Sequence, residues 1–432
     1  MRERHLSRKT LRRLIERDSD REENLLLLHH LAVCPACYRV GGYLLDLFEA
    51  GAIDLAFSSL DIALARSRAE APALLARLER YSFPKALGLV RDARRFRSWG
   101  LAELLCSESI KRAPESPARA VELAELAVAL ALVLRRDEPA EESWLEELRA
   151  YAWAHLGNAR RVFGELRSAE EAFVTADACW ERGETNAGDV LGYEAWILCL
   201  KASLRLAQGR LEEALALLDR ALGANEAEPL RGTLLINKAR VLEELERLPE
   251  AIRLLEEAAA CIDPEKRPRV FLCARQNLLD GLSKAEEFER AESLLAEVQE
   301  LTRAAGSDID LLRLAWVEAR LLVGRGEVER AIVRFREARD GLASHGIGFD
   351  TALVCLELAI LLLREDRPQD AGALSAEMLP IFVASDVHRE ALAALVIFKE
   401  AAERQELTLD LAVRIHRYLL RARQNPSLHY EE

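Results

Sequence analysis

The chain has 432 residues, half of them apolar and 31% charged, which provides for a buried core and excludes a disordered polypeptide. Its formal net charge of −13 excludes a general coat for nucleic acid, because binding a phosphate backbone requires net basic surface. Leu and Ala are abundant while aromatics amount to 6%, a balance that favours helices over sandwiches and barrels, so an all-α fold is expected.

In chain order, the first concentrated chemistry lies within residues 1–50, where His30-Leu31-Ala32-Val33-Cys34-Pro35-Ala36-Cys37 reads H-x3-C-x2-C. Two thiolates at that spacing reach one tetrahedral ion, and His30 stands one helical turn before Cys34 on a helix that Pro35 ends. A fourth ligand closes such a site. His5 is the candidate, returned to His30 by a hairpin of two helices: Ser7 caps the first, and Asp20 with Glu23 forms a capping-box pattern before the second. His29 is the rival to His30. A third helix follows with Tyr43, Leu44, Leu47 and Phe48 as its apolar side. The expected ion is Zn2+, in a structural role, because so short a module has too little core without a staple.

The phrase His-His-Leu-Ala-Val-Cys-Pro-Ala-Cys at 29–37 resembles the core of the zinc-binding anti-sigma factor module. That resemblance implies zinc, a small helical fold, and binding to a sigma factor or another regulator. Two departures stand out. The upstream ligand is commonly Cys and here would be His5, and the chain continues into repeats where many members enter a membrane helix.

Residues 51–98 read as a helical connector. The basic clusters at 1–17 and 80–97 read as solvated helix faces, since neither carries an organised aromatic pattern for stacking bases. From 99 to 432 the chain repeats. The clearest unit holds Trp153, Leu156 and Gly157, then Gly164, Ala169, Phe173 and Ala176. The skeleton recurs at Gly209, Ala214 and Ala221; at Leu248, Ala251 and Ala258; at Phe288 and Ala291; and at Gly326, Ala331 and Ala338. Ala371 continues it, with weaker copies at Ala120 and Ala127 and at Ala412.

This skeleton resembles the tetratricopeptide repeat, in which a helix A carries W-x2-L-G and a helix B carries small residues seven apart. The resemblance implies a helical-hairpin solenoid, a superhelix of about eight pairs, whose helix-A face forms a groove for a protein or peptide. The first helix-B alanine steps from 251 to 291, 331 and 371, three equal intervals of 40, longer than is usual for that family. Packing explains the pattern: a small Gly157 admits helix B, Ala169 and Ala176 receive neighbouring side chains, and Gly164 turns the chain. Pro249, Pro264, Pro268 and Pro368 fall at helix starts and loops. The Glu/Arg alternation of 327–339 is expected to form i,i+4 pairs, and Cys106, Cys179, Cys199, Cys261, Cys273 and Cys355 are expected to be buried thiols.

Candidate groove residues are those on helix A with polar or aromatic reach. Asn237 and Asn277 occupy one register position, followed three residues on by Arg240 and Asp280. An amide offers a donor and an acceptor to an extended backbone. Trp196, Arg313, Trp316 and Arg320 add aromatic and cationic contacts. The competing reading gives the same residues to packing between repeats, leaving a pure scaffold with the zinc hairpin as its cap. No P-loop, dinucleotide fingerprint, H-E-x-x-H or nucleophile elbow occurs. An enzyme is not expected; one would need a site assembled from such residues as His155, His345 and His388. The longest apolar stretch, Thr351 to Leu363, holds Glu357 and is too short to span a bilayer, and no signal core follows the basic N-terminus, so a cytoplasmic protein is expected.

Overall fold

The computed structural model describes residues 53–135, 139–183, 192–224, 230–374 and 389–422. The zinc ligands His5, His30, Cys34 and Cys37, and the whole 1–50 module, lie outside the described residues. Among those described, every regular element is helical. The chain divides after Lys201 into two compact units.

The first unit holds α1 (Ile53–Leu78), α2 (Phe83–Asp92), a 3-10 turn (Arg94–Phe96), α3 (Trp99–Arg112), α4 (Pro117–Val133), α5 (Pro139–Phe163) and α6 (Leu166–Gly183). The division falls inside α7 (Glu194–Ala207). Starts are specified locally: the Ser98 hydroxyl accepts from the Leu101 N–H, and the Ser116 hydroxyl accepts from the Arg119 N–H with Pro117 in the first turn. On α4, Ala120, Ala124, Ala127 and Ala131 make a stripe of helical period, each fully buried, so α3 and α5 can both pack closely on this helix.

The second unit continues with α8 (Leu211–Ala224), α9 (Leu230–Glu244), α10 (Leu248–Cys261), α11 (Pro268–Lys284), α12 (Phe288–Ala305), α13 (Asp308–Gly324), α14 (Val328–Ser344) and α15 (Gly348–Arg364). After a helical stretch at 368–374 come α16 (Arg389–Glu403) and α17 (Leu409–Ala422). Helices A (α9, α11, α13, α15) alternate with helices B, and from α8 to α15 each packs on the next, while α15 packs on α17; α9 also touches α11, and α11 touches α13. The helix-A side chains therefore form a continuous face.

All eight marker alanines, from Ala120 to Ala412, are fully buried. For the six markers from Ala169 to Ala371, the residues twelve positions earlier are Gly157, Ala202, Ala239, Leu279, Ala319 and Ala359, all buried, and Leu279 is the one large residue among these six. A Cβ at Gly157 would lie 2.7 Å from the Phe173 ring, so the helix A to helix B approach there requires the glycine. Pro249 and Pro268 do occupy first helical turns.

The turn between A and B repeats with one backbone solution. Gly164, Gly209, Glu246, Glu286, Gly326, Asp366 and Gln405 all have positive φ. The next amide reaches back five residues to close the helix, from Arg247 to Leu242 (2.8 Å), Glu287 to Leu282 (3.0 Å), Glu327 to Leu322 (2.9 Å) and Arg367 to Leu362 (2.8 Å). At 246, 286, 366 and 405 these bonds hold a side-chain-bearing residue in a conformation that glycine adopts freely.

Two expectations are corrected. Cys261 and Cys273 are only partly buried, unlike the other four thiols, because they sit at the end of α10 and on the helix-A face. The pairs in 327–339 are not i,i+4: Arg330 meets Glu327 and Arg334 meets Glu337 three residues away, while Arg334 also crosses to Glu318 on α13. Long guanidinium stems reach the neighbouring helix, which the sequence spacing alone does not show.

Candidate functional site

The helix-A face of the second unit gathers most of the residues singled out by sequence. At its centre is Arg320 on α13. Its Nη1 donates to Asp280 Oδ1 of α11 (2.5 Å) and to Ser283 Oγ (3.3 Å), while Nε and Nη2 donate to the Glu357 carboxylate of α15 (2.8 and 3.1 Å). Trp316 lies under the same guanidinium at 4.6 Å and donates its indole N–H to Glu357 (2.9 Å). His416 of α17 stands 3.4 Å from Glu357. Lys284 extends the chain of charges from Asp280 (2.7 Å) to Glu243 of α9 (3.3 Å). One charged seam thus crosses four consecutive A helices.

Burial and charge oppose each other along this seam. Burial alone would raise the Asp280 and Glu357 carboxyls. Lys284 and Arg320 outweigh it at Asp280, and Arg320 with His416 outweigh it at Glu357, which is held down to about 2. Burial would likewise lower Lys284 and Arg320, yet the carboxylates hold both protonated well above their ordinary range. These groups stay ionised because each has its partner.

Beside the seam, Arg269 of α11 takes the Asp310 carboxylate of α13 with both Nη atoms (2.6 and 3.1 Å), and Arg313 donates Nε to Asp350 of α15 (2.9 Å). Asp310 also closes the α13 capping box with Ser307. Asn237 and Asn277 are half-buried on α9 and α11, with the Asn277 amide near the Cys273 sulfur of its own helix at 3.9 Å. Arg240 is exposed on α9.

Trp196, the remaining candidate, belongs to the first unit. It lines a depression of about 380 Å³ with Arg68, Glu103, Tyr151 and Tyr193. There Arg68 holds Glu103 bidentately (2.7 Å for both bonds), Tyr193 donates to Glu103 (2.5 Å), and the Trp99 indole donates to the Tyr193 oxygen (3.0 Å). Tyr151 stacks on Tyr193 at 4.4 Å and meets the buried His155 edge-on. Burial pushes the His155 imidazole down to about 3, so it is neutral at any ordinary pH. His345 is exposed at the end of α14 with Nδ1 at 2.9 Å from the Gly341 carbonyl, and His388 lies outside the described residues.

A hollow of about 580 Å³ is lined from α12, α13 and α14 and includes Leu295, Leu322 and Glu337. A second, of about 380 Å³, is lined from α8, α9 and α10 and includes Leu215, Leu242 and Glu257, each 80 residues earlier. Such hollows follow from repeat stacking. Among the described residues no group of three His, Cys, Asp or Glu could hold a metal ion, and no helix is long and apolar enough to cross a membrane.

Residues Glu357, His416, Asp350 and Asp310 were not singled out by sequence. A signal exists in retrospect: Arg313 to Asp350 and Arg320 to Glu357 share an offset of 37 residues, the same step between neighbouring A helices.

Comparison with known proteins agrees with this architecture. Residues 193–262 match the tetratricopeptide repeat model. A solved Rap protein complexed with competence and sporulation factor superposes with a TM-score of 0.54 at 12% identity, covering 74% of this chain and 88% of that one. The tetratricopeptide-like repeats of a putative kinesin light chain from Podosopora anserina give 0.34 at 20% identity, covering 46% of this chain and 93% of that one, too low a score to argue from. No curated protein matches. The chain therefore carries tetratricopeptide repeat sequence at 193–262 and shares an all-helical, tetratricopeptide-like fold over most of its length.

Proposed function

We propose that the chain is a regulatory adaptor whose helix-A face in the second unit binds an extended protein or peptide segment. The observation that carries this is the pair Asn237 and Asn277, at one register position on touching helices, half-buried on a face with exposed guanidinium groups beside them. Amides so placed can take both the donor and the acceptor of a partner backbone without demanding its sequence. The Rap likeness supports the fold on which such a face is built. Asn237→Ala with Asn277→Ala should abolish selection of binders from a displayed peptide library while leaving far-UV helicity unchanged; undiminished selection would exclude this face.

The N-terminal module is assigned zinc within the same proposal. Two thiolates and two imidazoles from His5, His30, Cys34 and Cys37 suit closed tetrahedral coordination, which staples a short helical segment and leaves no position for substrate. The module then offers its surface to a sigma factor or another regulator. Purified protein should hold about one zinc ion per chain, and Cys34→Ala should lose it. Metal-free protein with unaltered partner binding would reduce the chain to a pure repeat scaffold.

A further inference from the structure

Trp196 stands apart from the helix-A face of the second unit: its depression of about 380 Å³ lies wholly within the first unit, between α1, α3, α5 and the start of α7. Aromatic rings supply the walls. Tyr151 and Tyr193 stack with centroids 4.4 Å and planes 21° apart, and the half-buried Trp196 lines the same hollow. Tyr193 is fixed in place, since it is 5% exposed, its oxygen accepts from the Trp99 indole and its hydroxyl donates to Glu103. The polar groups differ in what they have left to offer. The Glu103 carboxylate is engaged by both the Arg68 fork and the Tyr193 hydroxyl. Arg68 gives Nε and Nη2 to that carboxylate and acts on the Tyr193 oxygen, but a guanidinium carries more N–H groups than these contacts occupy, and this side chain is 51% exposed. Ser107 spends its hydroxyl hydrogen on the Leu104 carbonyl (3.0 Å), so it meets the hollow with lone pairs only.

We propose that this depression binds a small planar ring bearing an uncharged amide-type group, which gives a carbonyl to Arg68 and an N–H to Ser107. The chemistry selects this class. Flat aromatic walls suit a flat ring, and a hollow of this volume suits a small molecule. A cation would find the Glu103 carboxylate already engaged and would meet the charge of Arg68. An anion gains little, because Glu103 cancels the Arg68 charge locally and the chain as a whole carries −13. An amide brings an acceptor and a donor with no charge, which matches the spare guanidinium hydrogens and the Ser107 lone pairs. The site shares no residue with the groove at Asn237 and Asn277, so it goes beyond that reading and stands independently of it.

The test uses the full chain and three probes that share one ring, indole-3-acetamide, indole-3-acetate and tryptamine, titrated by ligand-observed saturation-transfer NMR. The amide should bind tightest, and its affinity should barely change with added salt. Trp196→Ala should weaken it about tenfold or more by removing a wall of the hollow. Because that truncation also disturbs packing, Ser107→Ala is the companion variant: it removes one acceptor from a half-buried position, should leave the thermal midpoint unchanged, and should weaken the amide about fivefold. Asn237→Ala with Asn277→Ala should leave the amide signal as it is, and a loss there would place the probe in the second unit and overturn the assignment. Acetate or tryptamine binding as tightly as the amide would overturn the hydrogen-bond selection. An amide affinity unchanged in both Trp196→Ala and Ser107→Ala, or no binding by any probe, would overturn the site itself.

Discussion

Replacing Arg320 with Met is expected to destabilise the second unit by about 3–5 kcal/mol, because it takes from two carboxylates the guanidinium they share, leaving Asp280 with Lys284 and Glu357 with the Trp316 indole against the cost of burial. Arg320 is 12% exposed and Glu357 16%, so water screens this loss only weakly. Urea unfolding followed by circular dichroism measures it. The pH dependence identifies the cause. Glu357 is held at about 2 against an ordinary 4.5, and Asp280 is also held below its usual range. A depressed carboxyl contributes fully above its unfolded value, and the contribution drains away as pH falls from about 4.5 toward 2. The difference between wild type and Arg320→Met should therefore shrink on acidification. A gap that stays constant from neutrality to pH 3 would show that the lost packing against Trp316, and not the charge seam, sets the stability.

Phe335→Ala should cost a similar about 3–5 kcal/mol through a different mechanism. The ring is 2% exposed on α14, in one core cluster with Trp316, Ala319, Ala331 and Ala338. Its truncation leaves a void that helices already in close contact fill poorly. Val333, two residues earlier and 55% exposed, supplies the control: Val333→Ala should change the same midpoint by less than about 0.5 kcal/mol. Equal losses at the two positions would mean that the faces of α14 are not assigned as described.

The contrast between these two sites measures what the sequence shows. Helix-B burial was readable because it is periodic: the spacing of Ala251, Ala291, Ala331 and Ala371 predicts four equivalent interior positions, and all four are fully buried. Turns were readable where glycine marks them, at Gly164, Gly209 and Gly326, and invisible at Glu246, Glu286 and Asp366, where hydrogen bonding imposes the same positive φ on an ordinary residue. Arg320, Trp316, Arg313 and Asp280 were recognised as important for contact, and the structure shows their first contacts to be with each other and with Glu357 and Asp350. Which carboxylate meets which guanidinium depends on how one helix A slides against the next, a packing register that a single chain's periodicity leaves open. The helix-A face was thus found, while the pairing of its charged groups required the stacked helices.

Arg320 grips α11 with one edge and α15 with the other, so three consecutive hairpins share one side chain. In an ideal solenoid each repeat senses only its nearest neighbours and can open almost on its own. Here the middle hairpin cannot swing out without breaking bonds on both flanks, and His416 of α17, the last of the described helices, stands 3.4 Å from the same carboxylate. Slow amide exchange should accordingly be shared across α11, α13 and α15 as one sub-global opening unit, so that fraying from the C-terminal end meets a block and does not travel repeat by repeat.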